Sequence, residues 1–181
     1  MAHPWHDVSV GKNSPELVNG IVEIPKGSRA KYEIDKESGL IKLDRVLYGS
    51  MMYPAHYGII PQTLFDDGDP LDILILTQVP LVPLTLVSCR IIGVMRMIDQ
   101  GIPDDKIIAV AEKDPSVFHI QNIEDLPQLF LEELRNFFEN YTKLEGKSVQ
   151  VPEFLGKEVA YAALAHSVEL YDEKFKNQIP Y

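Results

Sequence analysis

Positive charge and cysteine are scarce in this sequence, and both shortages narrow what the chain can be. Seventeen lysines and arginines stand against twenty-seven aspartates and glutamates, for a formal net charge of −10 over 181 residues. A surface of that sign repels nucleic acid and anionic membranes at long range, so neither is expected as a partner. It repels a free polyphosphate as well, so an anionic substrate would need cations to mediate its binding. Cys89 is the only cysteine, which rules out an intrachain disulfide and gives no sign of an oxidising compartment. Long apolar runs are also missing. The longest stretch free of both charged residues and histidine, Ile73 to Cys89, carries Thr77, Gln78, Pro80, Pro83 and Thr85, and falls short of the roughly 20 apolar residues of a spanning helix. The opening residues have neither the basic region nor the apolar core of a signal peptide, so the cytoplasm is the expected location. Hydrophobic residues still make up 45% of the chain. That suffices for a sizeable core in one domain spanning residues 1–181.

The first two-thirds read as β-structure. Residues 29–35 alternate, with Lys31, Glu33 and Asp35 on one face and Tyr32 and Ile34 on the other. Glu37-Ser38-Gly39 makes a turn and Leu40 to Val46 returns, so a hairpin is expected. Val18–Ile24, Leu71–Leu76 and Leu84–Met97 are further strand candidates, the last with a bend or bulge at Gly93. From Leu126 the period becomes helical, through Phe130, Leu134, Phe137, Phe138 and Tyr141. Asp125 is placed to cap this helix, with Pro127 in its first turn. A second helix is expected from about Lys157 to Phe175. Short strands followed by helices predict an α+β, mainly β architecture, a small barrel covered by helices.

The most informative segment is Asp66-Asp67-Gly68-Asp69-Pro70-Leu71-Asp72. Four carboxylates fall within it, and no lysine or arginine occurs between Arg45 and Arg90 to balance them. Two carboxylates about 5 Å apart repel by roughly 3 kcal/mol at an effective dielectric near 20. Solvation, protonation or a cation must relieve that. An exposed Asp-Gly turn is one reading of the segment. A cation site is the other, favoured by Asp72 lying next to the apolar strand Ile73–Leu76 and by Pro70 stiffening the turn. Aspartate oxygens are hard ligands that suit Mg²⁺ or Mn²⁺ better than zinc. An EF-hand is excluded, because Gln78 falls where its bidentate glutamate belongs. A second acidic turn, with Asp99, Asp104 and Asp105, follows the long strand and could converge on the same site. The five histidines form no metal-ligand pattern with a cysteine.

Asp67-Gly68-Asp69-Pro70-Leu71-Asp72 resembles the signature of the family I soluble inorganic pyrophosphatases. Val22-Glu23-Ile24-Pro25, Lys31-Tyr32-Glu33-Ile34-Asp35-Lys36, Asp44-Arg45, Tyr53-Pro54 and His56-Tyr57-Gly58 look like further blocks of that family in the same order. So do Met97-Ile98-Asp99, Asp104-Asp105-Lys106 and Phe137-Phe138-Glu139-Asn140-Tyr141, while His3-Pro4-Trp5-His6 is similar to plant-type and some bacterial members. The resemblance implies a five-stranded, OB-like β-barrel with flanking C-terminal helices and hydrolysis of pyrophosphate with several Mg²⁺ ions, Mn²⁺ being a possible substitute. By resemblance Asp67, Asp72 and Asp104 hold the first metals, and Asp99 joins them when substrate binds. Glu23 and Glu33 act on outer metals or their waters, and Asp69 is the general base. A homo-oligomer is implied, a hexamer if the chain follows the bacterial members.

Phosphoryl transfer needs positioning and charge stabilisation, so basic and phenolic donors should surround the substrate. Lys31 alternates with Glu33 on a polar strand face. Arg45 shares parity with Ile41 and Leu43, an odd companion for an apolar face unless it meets an anion; a structural ion pair is the competing reading. Tyr57, Tyr141 and Lys106 complete the set. One departure from the family stands at Thr142, where a Tyr-Lys pair is usual; phosphate contact there is expected to be weaker, or supplied by Lys143 or Lys147 through a local distortion. Two alternatives are another metal-dependent phosphohydrolase and a catalytically impaired homologue. An oligonucleotide-binding barrel is disfavoured by the charge and by the lack of a basic-aromatic stripe.

Overall fold

The computed structural model describes residues 2–176. Its centre is a closed five-stranded barrel. In chain order the elements begin with β1 (Leu17–Ile24), β2 (Ala30–Ile34), β3 (Ile41–Val46), β4 (His56–Ile59), β5 (Asp72–Leu76) and β6 (Leu86–Met95). Then come β7 (Ile98–Asp99), β8 (Ile102–Pro103), β9 (Lys106–Ala111), α1 (Gln128–Asn140), β10 (Val149–Gln150), β11 (Phe154–Gly156) and α2 (Lys157–Tyr171). The barrel runs β1–β4–β5–β9–β6 and closes by pairing β6 back onto β1, while β11 adds to β6. Only β5 and β9 pair in parallel; the other barrel pairs are antiparallel. The hairpin β2–β3 and the small sheet β10–β7–β8 stand outside the barrel. Among the described residues, no helix is long and apolar enough to cross a membrane.

Closure follows from alternation. Val18, Val22, Ile73, Ile75, Ile91, Ile107 and Ala109 pack into one apolar cluster, which Ala160 and Leu164 of α2 join. The intervening residues Leu74, Ile108 and Val110 pack instead against Leu134, Phe137 and Phe138 of α1. A strand flanked on both faces by apolar layers must be apolar throughout, as Ile73-Leu74-Ile75 is. Gly93 marks the bulge expected in the long strand: the β6–β9 register shifts between Ile91 and Gly93. Ile91 and Val94 therefore share a layer although three positions separate them.

Helix α1 starts later than its hydrophobic period suggests. Pro127 has no N–H and holds Leu126 extended (φ −79°, ψ 141°), so the helix begins at Gln128 with Pro127 as its cap residue. Asp125 does not cap α1. Its carboxylate accepts the backbone N–H groups of Gln121 and Asn122 at 2.8 and 2.9 Å, tying down the preceding short 3₁₀ turn.

One glycine is indispensable to closure. A Cβ at Gly58 of β4 would lie 2.0 Å from the Ile21 carbonyl oxygen on β1, a backbone atom that cannot move aside. Gly58→Ala should lower stability by about 3 kcal/mol or more, as overpacking at a rigid site does. Thermal unfolding followed by circular dichroism checks this, and a melting point equal to the parent's would contradict the packing described.

Candidate active site

The acidic segment folds as a tight turn at one end of the barrel. Gly68 takes a positive φ of 87°, which lets the chain reverse. The Phe65 N–H bonds the Asp69 carbonyl at 2.7 Å, and the Asp69 N–H bonds the Asp67 carboxylate at 3.0 Å. Asp72 then opens β5. The turn forms one side of an open cleft of about 490 Å³. Eleven of the twelve residues expected at the site line it: Glu23, Lys31, Glu33, Arg45, Tyr57, Asp67, Asp69, Asp72, Asp99, Asp104 and Tyr141.

The exception is Lys106, which lies beneath the floor with 2% exposure. The parallel register sets it directly across from Asp72. Its ammonium meets Asp72 at 2.5 Å and also pairs with Asp104. Lys106 thus does not line the cleft wall, and two carboxylates take up its charge. Burial alone would lower the Lys106 pKa, but those two charges outweigh it and hold the ammonium well above the ordinary lysine range. Tyr57 donates its hydroxyl to the same Asp72 oxygen at 2.5 Å. The Tyr141 phenol, on the residue that ends α1, is pushed up to about 12 by burial, so it stays a hydrogen-bond donor at neutral pH.

Two bulges aim side chains into the cleft. The β1–β4 register shifts between Val22 and Ile24, so Glu23 is the extra residue. Glu23 is 5% exposed and accepts the Ile34 N–H at 2.6 Å. Burial outweighs that bond and pushes its carboxyl up to about 8. The β2–β3 register shifts at Asp44, because Lys31 opposes Arg45 whereas Tyr32 opposes Leu43. Arg45 therefore does not share a face with Ile41 and Leu43 as strict alternation would have it. Leu43 is itself exposed, so the apolar face inferred for this strand is absent as well. Arg45 donates to Glu145 at 2.8 Å and to Asp44 at 2.5 Å. Lys31 lies 3.3 Å from Asp44 and 3.9 Å from Glu33.

Four participants were not expected from sequence. Lys36 pairs with Asp69 across the cleft mouth, Glu145 orients Arg45, Asp44 bridges Lys31 and Arg45, and Trp5 forms part of the wall. Lys36 carried a signal, since it closes the Lys31–Lys36 block. Glu145 carried none, being 100 residues from its partner. At the departure from the family pattern, Thr142 lines the cleft with Lys147, and Lys143 does not. The helix has already ended at Asn140, and Lys143–Glu145 form a 3₁₀ turn.

The donor set fits hard divalent cations. Its oxygens are carboxylates, and Asp99 Oδ1 is buried without a hydrogen-bond partner. Among the described residues no three acidic, histidine or cysteine side chains converge tightly enough to hold an ion by themselves. Mg²⁺ does not require such a cage, because it commonly binds through one or two carboxylates plus water and substrate phosphates.

Comparison with known proteins bears on the same residues. The family model for inorganic pyrophosphatase matches residues 20–172. A soluble inorganic pyrophosphatase of Oryza sativa subsp. indica is 53% identical over 170 residues, covering 94% of this chain and 79% of the relative. Soluble inorganic pyrophosphatase 1 of Arabidopsis thaliana is 51% identical over 172 residues, covering 95% of this chain and 81% of the relative. The crystal structure of the Thermus thermophilus inorganic pyrophosphatase superposes with a TM-score of 0.91 at 40% identity, covering 94% of this chain and 99% of that one. With a model match across most of its length and relatives at this identity, the chain belongs to the inorganic pyrophosphatase family.

Proposed function

We propose that this protein hydrolyses pyrophosphate to two phosphates by direct attack of water, using divalent cations held by the cleft carboxylates. The observation that carries the reading is one cleft that Lys31, Arg45, Tyr57 and Tyr141 share with nine acidic residues, among them Asp67, Asp69, Asp72, Asp99 and Asp104. Bound Mg²⁺, with Mn²⁺ as a substitute, supplies charge that neutralises phosphate oxygens and lowers the pKa of a water from about 15.7 toward neutrality. Asp67, Asp72 and Asp104 would hold the first ions, Asp99 would join with substrate, and Glu23 and Glu33 would serve the outer ions or their waters. Lys31, Arg45, Tyr57 and Tyr141 hydrogen-bond the phosphates and hold the phosphorus in line with the water. Lys106 acts from below, balancing Asp72 and Asp104.

Asp69 is the general base. It accepts the proton of the water as the new P–O bond forms and the bridging P–O bond breaks. Its partner Lys36 is 57% exposed, and a surface ion pair of that kind holds a carboxylate by only about 0–1 kcal/mol. A cytoplasmic homo-oligomer, with a hexamer as the state to test by light scattering, completes the reading. The likeness to soluble inorganic pyrophosphatases supports the hydrolytic part of the reading.

Phosphate release from pyrophosphate with Mg²⁺ should exceed that from ATP or a phosphomonoester, stop with a chelator, and return with excess Mg²⁺ or Mn²⁺. Inactivity of the folded protein on pyrophosphate with Mg²⁺ would sink the proposal. Asp69→Asn should keep its metal titration curve but lose roughly 10²–10⁴ in kcat, the contribution of a positioned base. A fully active variant would remove Asp69 from that role. Thr142→Lys adds a charge-assisted donor at the cleft wall and should lower KM about tenfold or more. An unchanged KM would show that Lys147 already fills the position.

A further inference from the structure

Trp5 is the only tryptophan of the chain, is 4% exposed and forms part of the cleft wall, yet the proposed chemistry gives it no task. Its surroundings supply one. The indole N–H donates to the Thr63 carbonyl at 2.8 Å, a bond spanning 58 residues of sequence. In return the Gln62 N–H donates to the Trp5 carbonyl at 2.9 Å, and the Gln62 side-chain amide donates to the His6 carbonyl at 2.9 Å. Gln62 holds a left-handed backbone, φ 53°, which a residue with a Cβ adopts only when its neighbours impose it.

Thr63, the residue so gripped, is fully buried and closes the base of the acidic turn. Its hydroxyl donates to the Ile60 carbonyl at 2.6 Å and accepts the Leu71 N–H at 2.9 Å. Next to it the Leu64 N–H is bonded to the Ser167 carbonyl of α2 at 2.8 Å. The indole is itself immobilised, stacked on His6 at 4.5 Å and edge-on to Phe175 at 5.4 Å. The N-terminal segment and α2 thus grip both sides of the residues that enter the turn. Asp67, Asp69 and Asp72 lie between Thr63 and the start of β5, where any slack in Thr63 becomes slack in the ligands.

We propose that Trp5 is a positioning residue of the metal-binding turn, fixing through the Thr63 carbonyl the separation of the Asp67 and Asp72 carboxylates before cations bind. The proposal rests on the reading of those aspartates as metal ligands. Its signature is a selective loss of cation affinity. A mere anchor of the N-terminal segment would lower the melting temperature without moving metal affinity.

Trp5→Phe keeps an aromatic ring and removes the donor; Gln62→Ala leaves Trp5 in place and removes the grip on His6. Calorimetric titration of the folded proteins with Mn²⁺ should show Kd raised about tenfold by Trp5→Phe, the cost of one buried hydrogen bond left unmade, and raised in the same direction by Gln62→Ala. The Mg²⁺ concentration for half-maximal pyrophosphate hydrolysis should rise in parallel. At saturating Mg²⁺, kcat and KM should return to wild-type values. Wild-type Mn²⁺ affinity in both variants would overturn the proposal, as would a kcat deficit that excess Mg²⁺ fails to restore. Should Trp5→Phe not fold, Gln62→Ala decides alone. A wild-type protein that binds Mn²⁺ but releases no phosphate from pyrophosphate refutes the function and leaves the calorimetric comparison standing.

Discussion

Burying one ammonium beside two carboxylates is the act on which the rest of this site depends. Lys106 is 2% exposed, and an unpaired charge at that depth costs several kcal/mol. Asp72 in the same floor meets a penalty of its own, since burial pushes its carboxyl up and the neighbouring Asp104 charge adds to the rise. Neither arrangement folds well alone; together the three groups neutralise much of each other's charge. The parallel pairing of β5 with β9 makes this possible, because it sets Asp72 and Lys106 opposite each other in the ladder. The floor still carries more negative than positive charge, with Asp67 and Asp99 nearby. That residue of negative charge draws cations in a protein whose surface otherwise repels a polyphosphate.

The bulges solve a second difficulty. A barrel strand offers alternate residues to the core, which leaves no place for an acid aimed sideways at a cleft on the rim. One extra residue at Glu23 shifts the register, sends Ile24 into the layer under α1 and frees the carboxylate to face the hairpin. The bulge at Asp44 does the same for Arg45 on the opposite wall. Each distortion gives up regular ladder hydrogen bonding locally, and each is compensated by a specific bond: Glu23 to the Ile34 N–H, and Arg45 to Glu145.

Much of this was legible in the sequence because local pattern encodes it. The hairpin, the barrel strands β1, β5 and β6, the bulge at Gly93 and both helices follow from period and turn chemistry, whereas the four-residue β4 is too short to show a period. The carboxylates of the acidic turn stand out by crowding alone. What local pattern does not encode is the change of parity at Glu23 and Asp44, since a bulge is one inserted residue with no composition of its own. Burial of Lys106 was hidden for another reason: it depends on which strand lies alongside β9, a fact of topology. Glu145 and Thr63 were invisible as partners because 100 and 58 residues separate them from Arg45 and Trp5. The start of α1 was misplaced because the hydrophobic stripe continues across Pro127 while the backbone cannot.

The hairpin β2–β3 has a consequence for how the molecule divides its labour. It is a two-stranded ribbon outside the closed barrel, tied at its foot by Leu47 to Arg29 and by Tyr53 to Ser28. A two-stranded ribbon is only marginally stable by itself. This one is held to the barrel where Ile34 packs with Ile21 and Ile59 and donates its N–H to Glu23. The cleft therefore has two halves of different construction: Glu23, Tyr57 and Asp72 stand on strands of the closed barrel, whereas Lys31, Glu33 and Arg45 stand on the ribbon. Whatever shifts the ribbon shifts the cationic wall against the carboxylates without opening the barrel.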